Sequence, residues 1–252
     1  MTQLLISVKN VAEALMALEV GVDIIDLKDP GVGALGALNV HETAQIVQAV
    51  KERKTVGLDV PNLTLISATV GEQHIDLNHL ILDIQARVAL GVNLIKIAVS
   101  SLFYAEHFST QMQHLIRSDL KLIAVFFADG PIDLALLGTL KKIGFFGAML
   151  DTQTKQRNLL QAQTTSGLQM FTQICHKNDL QLGLAGSLQT QHIEHLIQFN
   201  ATYMGFRGGA CESLVRENDL CLAKVIQIKE LLHSHNKINA KPQESKHLAL
   251  HS

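Results

Sequence analysis

The sequence is poor in several residue types, and each shortage excludes a class of protein. Its 252 residues include no tryptophan, only 4 prolines and 17 glycines, and 17% charged against 47% hydrophobic residues. Collagen-like and low-complexity chains need more glycine and proline, and disordered chains need more charge and less hydrophobicity. We therefore expect a chain that folds around a large core.

An excess of charge of one sign is also missing. Lys and Arg number 21 and Asp and Glu number 23, which gives a formal net charge of −2. A partner held mainly through its phosphate backbone would require a clustered cationic surface. We therefore expect no nucleic-acid partner.

Cysteines are few, and the many histidines are not arranged as metal ligands. The three cysteines, Cys175, Cys211 and Cys221, form no CxxC pair and are odd in number, which argues against a disulfide framework and a cysteine zinc site. Among the 12 histidines, pairs such as His192 and His195 have helical spacing, typical of solvated helix faces. We expect no metal site and a reducing compartment.

Long hydrophobic runs are absent as well. No stretch approaches the roughly 18 consecutive apolar residues of a membrane span, and the first ten residues, MTQLLISVKN, turn polar too early for a signal peptide. We therefore expect a soluble, unprocessed cytoplasmic protein with no membrane partner.

Eight short apolar runs are the main feature that is present. They lack polar alternation, which is typical of parallel strands buried on both faces. The runs are Leu4–Val8, Asp23–Lys28, Leu63–Val70, Leu94–Val99, Lys121–Asp129, Gly147–Thr152, Gln181–Gly186 and Tyr203–Gly208.

Each run is followed by a segment with apolar residues three and four positions apart, as in a helix that packs on a sheet. The predicted helices are Val11–Val20, His41–Val50, Asn78–Leu90, Leu102–Ile116, Pro131–Ile143, Gly167–His176, Gln189–Phe199 and Leu214–Leu232.

Eight strand–helix units in a row predict an α/β fold, a single (β/α)8 TIM barrel, over residues 1–234. Gly21, Gly91 and Gly144 follow three of the helices, where a left-handed residue ends a helix before the next strand. A doubly wound open sheet is the competing architecture, but no strand is followed by G-x-G-x-x-G. Residues 235–252 are polar and aperiodic, so we expect a disordered tail.

Charged residues interrupt the predicted strands near their C-terminal ends, where barrel enzymes carry their active sites. Asp26 and Lys28 lie two positions apart on one strand and so face the same side, and Lys96 lies inside an apolar run. Asp151 and Lys155 follow at the sixth strand. Like charges and desolvation lower the pKa of a lysine and free its neutral amine to attack a carbonyl, so the pattern indicates Schiff-base chemistry. A structural Lys–Asp ion pair is the alternative.

Small residues end the last two predicted strands. Gly186 and Ser187 follow the seventh strand, and Arg207, Gly208 and Gly209 follow the eighth. The corresponding loops of many barrels bind a substrate phosphate, which predicts a phosphate site here. The alternative is that these glycines are ordinary turn residues.

Several motifs, in order along the chain, resemble the (5-formylfuran-3-yl)methyl phosphate synthase family. They are Asp23-Ile-Ile-Asp-Leu-Lys-Asp-Pro30 with Gly33-Ala-Leu-Gly-Ala37, Ser67-Ala-Thr-Val-Gly71, Ile95-Lys96, Ala148-Met-Leu-Asp-Thr152 with Lys155, Ala185-Gly-Ser187 and Gly205-Phe-Arg-Gly-Gly-Ala-Cys211.

The resemblance implies an enzyme of methanofuran-type cofactor biosynthesis. It would condense two molecules of glyceraldehyde 3-phosphate, with loss of phosphate and water, into a furan aldehyde phosphate. By similarity Lys28 is the Schiff-base lysine and Lys96 the proton acceptor, while Asp26, Asp151 and Lys155 match charged positions suited to proton transfer. The resemblance implies no cofactor, and the expected partner is a phosphorylated triose.

Other functions fit the residues too. Another Schiff-base aldolase or dehydratase acting on phosphorylated sugars would use the same barrel and charges. A barrel that only binds a phosphometabolite or serves in an assembly would need neither lysine for catalysis. We also expect a homo-oligomer, whose number of subunits the sequence leaves open.

Overall fold

The computed structural model describes residues 1–55, 64–92, 94–116 and 120–240. Eight parallel strands close into a barrel in the order β1 to β8, which confirms the predicted (β/α)8 architecture. The strands are β1 (Gln3–Val8), β2 (Ile24–Leu27), β3 (Leu65–Thr69), β4 (Leu94–Ala98), β5 (Lys121–Phe127), β6 (Gly147–Asp151), β7 (Gln181–Leu184) and β8 (Tyr203–Phe206).

Helices follow the strands and cover the outside of the barrel. They are α1 (Val11–Val20), α2 (Val40–Thr55), α3 (Leu77–Ala89), α4 (Phe108–Leu115), α5 (Leu136–Ile143), α6 (Leu159–Ala162), α7 (Thr165–Lys177), α8 (Ile193–Leu196) and α9 (Leu222–Ala240). In the described ranges no helix has the length and apolar character needed to cross a membrane.

The helix ends follow the rules read from the sequence. The Asn10 side chain accepts a hydrogen bond from the Glu13 backbone N–H and so begins α1, and Gly21 ends α1 with a φ of 75°. Gly91 and Gly144 likewise have positive φ values of 92° and 107°. A side chain is disfavoured in this left-handed conformation, which explains the glycine after each of these helices.

The last helix differs from its prediction. Its predicted range was Leu214–Leu232, whereas α9 begins at Leu222, so the start was wrong. An antiparallel bridge between Cys211 and Leu220 closes the preceding segment into a loop. The helix runs to residue 240, beyond the predicted domain boundary at 234, and residues 241–252 of the predicted tail lie outside the described residues.

Other predicted helices are shorter or divided. The predicted helix Leu102–Ile116 is a 3-10 turn at Ser101–Tyr104 followed by α4, and Pro131–Ile143 is helical from Leu136. The predicted helix Gln189–Phe199 consists of α8 between two 3-10 turns. Leu63, the predicted start of the third strand, lies outside the described residues.

The interior of the barrel changes from apolar to polar along the strands. On β1, β2 and β3, the residues Ser7, Asp26 and Ser67 are neighbours in register. Side chains alternate along a strand, so the residues two positions earlier face the same way. These residues are Leu5, Ile24 and Leu65, and they pack together in an apolar cluster. The polar layer therefore lies nearer the C-terminal ends of the strands, where the following loops enclose a cleft.

Candidate active site

A cleft of about 380 Å³ opens at the C-terminal end of the barrel. It is lined by residues of β1, β4, β6 and β8 and by residues that follow β2, β6, β7 and β8. Of the site residues predicted from the sequence, all but Asp26 line this cleft: Lys28, Lys96, Asp151, Lys155, Gly186, Ser187, Arg207, Gly208 and Gly209. The structure therefore brings together residues that are up to 181 positions apart in the chain, from Lys28 to Gly209.

Asp26 lies behind Lys96 and is fully buried. Its carboxylate accepts hydrogen bonds from the Ser7 hydroxyl at 2.9 Å and the Ser67 hydroxyl at 2.7 Å, and it pairs with the Lys96 ammonium at 2.6 Å. The register of β1, β2 and β3 places the two serines on either side of Asp26. A buried carboxylate needs this many partners because desolvation is costly.

Asp26 and Lys28 lie two positions apart in the sequence, which predicts that they face the same side of the strand. Both side chains are buried at the same end of the barrel, but the nearest carboxylate to Lys28 belongs to Asp151 on β6. The Lys28 Nζ lies 3.9 Å from the Asp151 Oδ2, while the other Asp151 oxygen is bonded to Lys155. The ion pair of Lys28 is therefore looser than those of Lys96 with Asp26 and Lys155 with Asp151.

This arrangement lowers the pKa of Lys28 from 10.5 to about 7. Burial is the largest cause, because a desolvated ammonium loses its hydration. The negative charge of Asp151 opposes the shift, whereas the positive charges of Lys155 and Lys96 add to it. Near neutral pH a large fraction of Lys28 is thus a free amine that faces the cleft.

Asp151 stays ionised beside these lysines. Burial alone would raise the pKa of its carboxyl, but the charges of Lys155 and Lys28 and a 2.7 Å hydrogen bond from the Thr152 backbone N–H lower it overall. Lys155 and Asp151 are four positions apart and in direct contact. The pair therefore combines a proton acceptor and a proton donor beside Lys28.

Lys155 is held in an unusual backbone conformation. Its φ is +59°, which is uncommon for a residue with a side chain. Asp129, just after β5, accepts hydrogen bonds from the backbone N–H groups of Gln153 at 2.7 Å and Thr154 at 2.9 Å. Burial acts to raise the pKa of Asp129, but these hydrogen bonds hold it at about 2. Asp129 thus fixes the loop that directs Lys155 towards Asp151.

The loops after β7 and β8 lie against each other through their backbones. A Cβ atom on Gly209 would lie 2.2 Å from the Leu188 carbonyl oxygen, so only glycine permits this approach. Gly186 and Ser187 both have positive φ, 112° and 48°. Among the described residues, no hydrogen bond uses the backbone N–H of Ser187, Gly208 or Gly209. The two loops can therefore offer backbone donors to an anion.

The guanidinium of Arg207, which the sequence predicts as a phosphate ligand, is occupied by other partners in the structure. The side chain bonds the Glu13 carboxylate at 2.5 and 3.2 Å and the carbonyl oxygens of Ser7, Arg216 and Asn218 at 3.1, 2.7 and 2.8 Å. A guanidinium has five N–H donors, and these five contacts engage all of them. A phosphate contact through this side chain would require Arg207 to give up some of these bonds, such as its ion pair with Glu13.

Sequence reasoning missed Arg216, which also lines the cleft. Its Nη2 donates a 2.7 Å hydrogen bond to the Gly33 carbonyl oxygen, in the loop after β2. Arg216 falls in the segment predicted as the start of the last helix, where an arginine is expected to be an ordinary solvent-exposed residue. The run Glu212-Ser-Leu-Val-Arg-Glu-Asn-Asp219, rich in loop-forming polar residues, was the signal available.

Comparison with known proteins adds to this geometry. A family model described as 4-HFC-P synthase matches residues 4–229. A Methylorubrum extorquens protein with the provisional name (5-formylfuran-3-yl)methyl phosphate synthase is 34% identical over 239 residues, 92% of each chain. The (5-formylfuran-3-yl)methyl phosphate synthase of Methanothermobacter thermautotrophicus is 28% identical over 245 residues, 92% of this chain and 99% of its own.

Solved structures agree on the fold. The 3-hexulose-6-phosphate synthase of Salmonella typhimurium is similar with a TM-score of 0.62, at 14% identity, over 93% of this chain and 100% of its own. Phosphoribosyl anthranilate isomerase of Thermus thermophilus has a TM-score of 0.60, at 12% identity, over 92% of this chain and 99% of its own. At such low identity these likenesses show the barrel alone.

Proposed function

The chain belongs to the 4-HFC-P synthase family, as its motifs predicted, and on that premise we propose that it makes (5-formylfuran-3-yl)methyl phosphate from two molecules of glyceraldehyde 3-phosphate through a Schiff base at Lys28. The observation that supports this most is the buried Lys28 amine, whose pKa of about 7 suits attack on a carbonyl at neutral pH. The product would serve methanofuran-type cofactor biosynthesis.

The overall balance of the proposed reaction is simple. Two three-carbon phosphates give a six-carbon furan aldehyde phosphate when one phosphate and two water molecules are lost. No electrons are gained or lost, so the reaction needs no oxidant or reductant. It needs instead a carbonyl activator, proton carriers and a place to hold phosphate groups.

In the first step the neutral Lys28 amine adds to the carbonyl of one triose phosphate, in the ketone form or an equivalent carbonyl. The resulting carbinolamine must lose its hydroxyl as water to become an iminium. Lys96 lines the same cleft and carries a proton in its 2.6 Å pair with Asp26, so it can supply the proton that this step requires.

In the second step Lys96, now neutral, takes a proton from the carbon beside the iminium, and the electron pair flows to the Lys28 nitrogen. This sequence gives Lys96 its role as proton acceptor although the free enzyme holds it as an ammonium. The enamine then forms the carbon–carbon bond with the aldehyde carbon of the second triose phosphate.

Phosphate elimination, ring closure and dehydration follow, and each of them moves a proton. Asp151 and Lys155 lie beside Lys28 as an ionised pair, so the carboxylate can accept a proton and the ammonium can donate one. The backbone N–H groups after β7 and β8, at Ser187, Gly208 and Gly209, are the proposed contacts for a substrate phosphate.

A direct assay tests the reaction. Pure protein incubated with glyceraldehyde 3-phosphate should develop a furan ultraviolet chromophore and release one phosphate for each product molecule, identified by mass. Formation of a different condensation product would instead indicate another Schiff-base aldolase or dehydratase. Absence of both chromophore and phosphate release would defeat the synthase proposal.

Trapping tests the lysine. Borohydride reduction in the presence of substrate should add the substrate's mass to the peptide that contains Lys28. Lys28→Ala should lose nearly all turnover and all trapping while keeping its fold, whereas Lys142→Ala, which removes an exposed lysine of α5, should behave as the wild type. Retention of turnover by Lys28→Ala would overturn the Schiff-base role of Lys28. A barrel that only binds phosphometabolites would instead show no turnover in the wild type and unchanged binding in Lys28→Ala.

A further inference from the structure

We propose that Arg216 supplies the guanidinium that binds a substrate phosphate at the loops after β7 and β8. This inference rests on the proposed function, which requires the cleft to hold triose phosphates. It assigns the role that the sequence suggested for Arg207 to a different arginine nine positions further along the chain.

The position of Arg216 fits this role. It lines the cleft together with Ser187, Gly208 and Gly209. A Cβ atom placed on Gly208 would lie 3.7 Å from the Arg216 Cβ, so the two backbones are neighbours. A phosphate at the backbone donors of these loops would thus be within reach of a long, charged side chain.

The other cations of the cleft are engaged elsewhere. Lys96 is paired with Asp26 and Lys155 with Asp151, while Arg207 has all five donors in use. The lowered pKa of Lys28 makes that amine a poor phosphate ligand. A doubly charged phosphate in the cleft therefore needs a cation that these residues do not supply.

Arg216 has the capacity that the others lack. Within the described part of the chain, its guanidinium donates one hydrogen bond, from Nη2 to the Gly33 carbonyl oxygen, and has a loose 3.9 Å contact from Nε to the exposed carboxylate of Glu217. Its side chain is 18% exposed, so binding an anion would not require a buried ion pair to break. Arginine can also present two parallel N–H groups to a phosphate.

Arg207 then acquires a different function, as a residue that positions Arg216. Its Nε donates to the Arg216 carbonyl oxygen at 2.7 Å, and its Nη2 donates to the Asn218 carbonyl oxygen at 2.8 Å. Lys9 adds a 2.6 Å hydrogen bond to the Glu217 carbonyl oxygen. These contacts fix the backbone on both sides of Arg216 and aim its side chain over the cleft.

The competing interpretation is that Arg216 only ties the loop after β8 to Gly33, in the loop after β2. A structural tie would affect stability, whereas a phosphate ligand would affect phosphate affinity. The two are separable by measuring inorganic phosphate binding by calorimetry, which needs no turnover, together with the midpoint of thermal unfolding.

The experiment compares Arg216→Ala, Arg216→Lys and the control Arg157→Ala, which removes an exposed arginine just after Lys155 that does not line the cleft. We expect Arg216→Ala to weaken phosphate binding about 10- to 100-fold, as expected for loss of charge-assisted hydrogen bonds, and to raise the KM for the triose phosphate more than it lowers kcat. Arg216→Lys should lose less, and Arg157→Ala should stay within twofold of the wild type.

Wild-type phosphate affinity in Arg216→Ala, or no phosphate binding by the wild type at millimolar concentration, would overturn the proposal. A fall in the unfolding midpoint with unchanged phosphate affinity would show a structural tie instead. If the wild type makes no furan but Arg216→Ala still loses phosphate binding, the phosphate site stands and the synthase function fails.

Discussion

The lowered pKa of Lys28 predicts a pH profile that an ordinary lysine would not show. At pH 7 a pKa of about 7 leaves about half of the side chain as free amine, against roughly one part in three thousand at the usual 10.5. Acetylation of Lys28 by acetic anhydride, followed by peptide mass, measures this without any substrate. The rate constant should rise to half its plateau near pH 7.

A neighbouring charge should move this profile in a known direction. Because the Lys155 cation helps lower the pKa of Lys28, Lys155→Met should shift the acetylation profile of Lys28 to higher pH. Asp151 would then lose its closest partner and could pair more strongly with Lys28, which acts in the same direction. Lys142→Met makes the same change of net charge on an exposed helix and should leave the profile in place.

The same shift carries a cost in folding stability. A lysine with a folded pKa of about 7 and an unfolded pKa of 10.5 binds more protons when unfolded, so stability increases with pH between these values. Below pH 7 the full cost applies, at most about 5 kcal/mol on the scale of 1.4 kcal/mol per factor of ten. Lys28→Met should therefore be more stable than the wild type at pH 6, by urea unfolding, and lose that advantage towards pH 10.

Two results would refute this reasoning. An acetylation rate that keeps rising above pH 9 would show a Lys28 amine with an ordinary pKa. A Lys28→Met protein no more stable than the wild type at pH 6 would show that the buried amine carries no desolvation cost.

Three further changes test the surroundings of the cleft. Asp129→Asn removes a charged acceptor from the loop that carries Lys155. Steady-state kinetics should then show a kcat about 10-fold lower with KM within twofold, and the acetylation profile of Lys28 should differ from that of the wild type. Unchanged values would show that Asp129 has no positioning role. Gly209→Ala places a Cβ 2.2 Å from the Leu188 carbonyl oxygen. The variant should have a free energy of unfolding lower by about 1–3 kcal/mol and should bind phosphate more weakly. A variant as stable as the wild type would contradict the close approach of the two loops. Tyr203→Phe removes a buried hydroxyl that has no partner among the described residues, so stability should stay equal or rise by about 1 kcal/mol; a clear loss would reveal a partner.

The sequence was sufficient for the barrel because its signal is local. Each strand is a continuous apolar run, and a glycine such as Gly21 or Gly144 ends the helix before the next strand. Eight repetitions leave little choice of architecture. The last helix was placed too early because Leu214 and Val215 continue its apolar spacing, while the bridge between Cys211 and Leu220, which makes that stretch a loop, is a tertiary contact.

The sequence predicted which charged residues gather at one end of the barrel, but not which of them form ion pairs. Lys96 was conspicuous because a lysine is rare in an apolar strand, yet only the barrel register shows that its partner is Asp26. The sequence likewise left the partner of Lys28 open, and the structure shows that its nearest carboxylate belongs to Asp151 on β6. Position at a strand end therefore identifies the group, and the closed barrel decides which charges touch.

Arg207 shows the same limit more sharply. Its place beside two glycines after the last strand is typical of a phosphate ligand, and the residues around it give no indication that Glu13 is its partner. That carboxylate comes from α1, and the two partners are 194 positions apart in the chain. Such long-range contacts are set by packing of the whole barrel, so local patterns cannot assign them.

The contact between Glu13 and Arg207 also has a consequence during protein synthesis. It joins the first helix to the loop after the final strand, and β1 pairs with β8 in the same region. A ribosome-bound chain that lacks β8 can neither close the barrel nor seat this loop. Lys28 would then stay hydrated and almost entirely protonated, and so react with aldehydes much more slowly than in the folded barrel. The enhanced reactivity of Lys28 should therefore appear only after β8 has been synthesised and the barrel has closed.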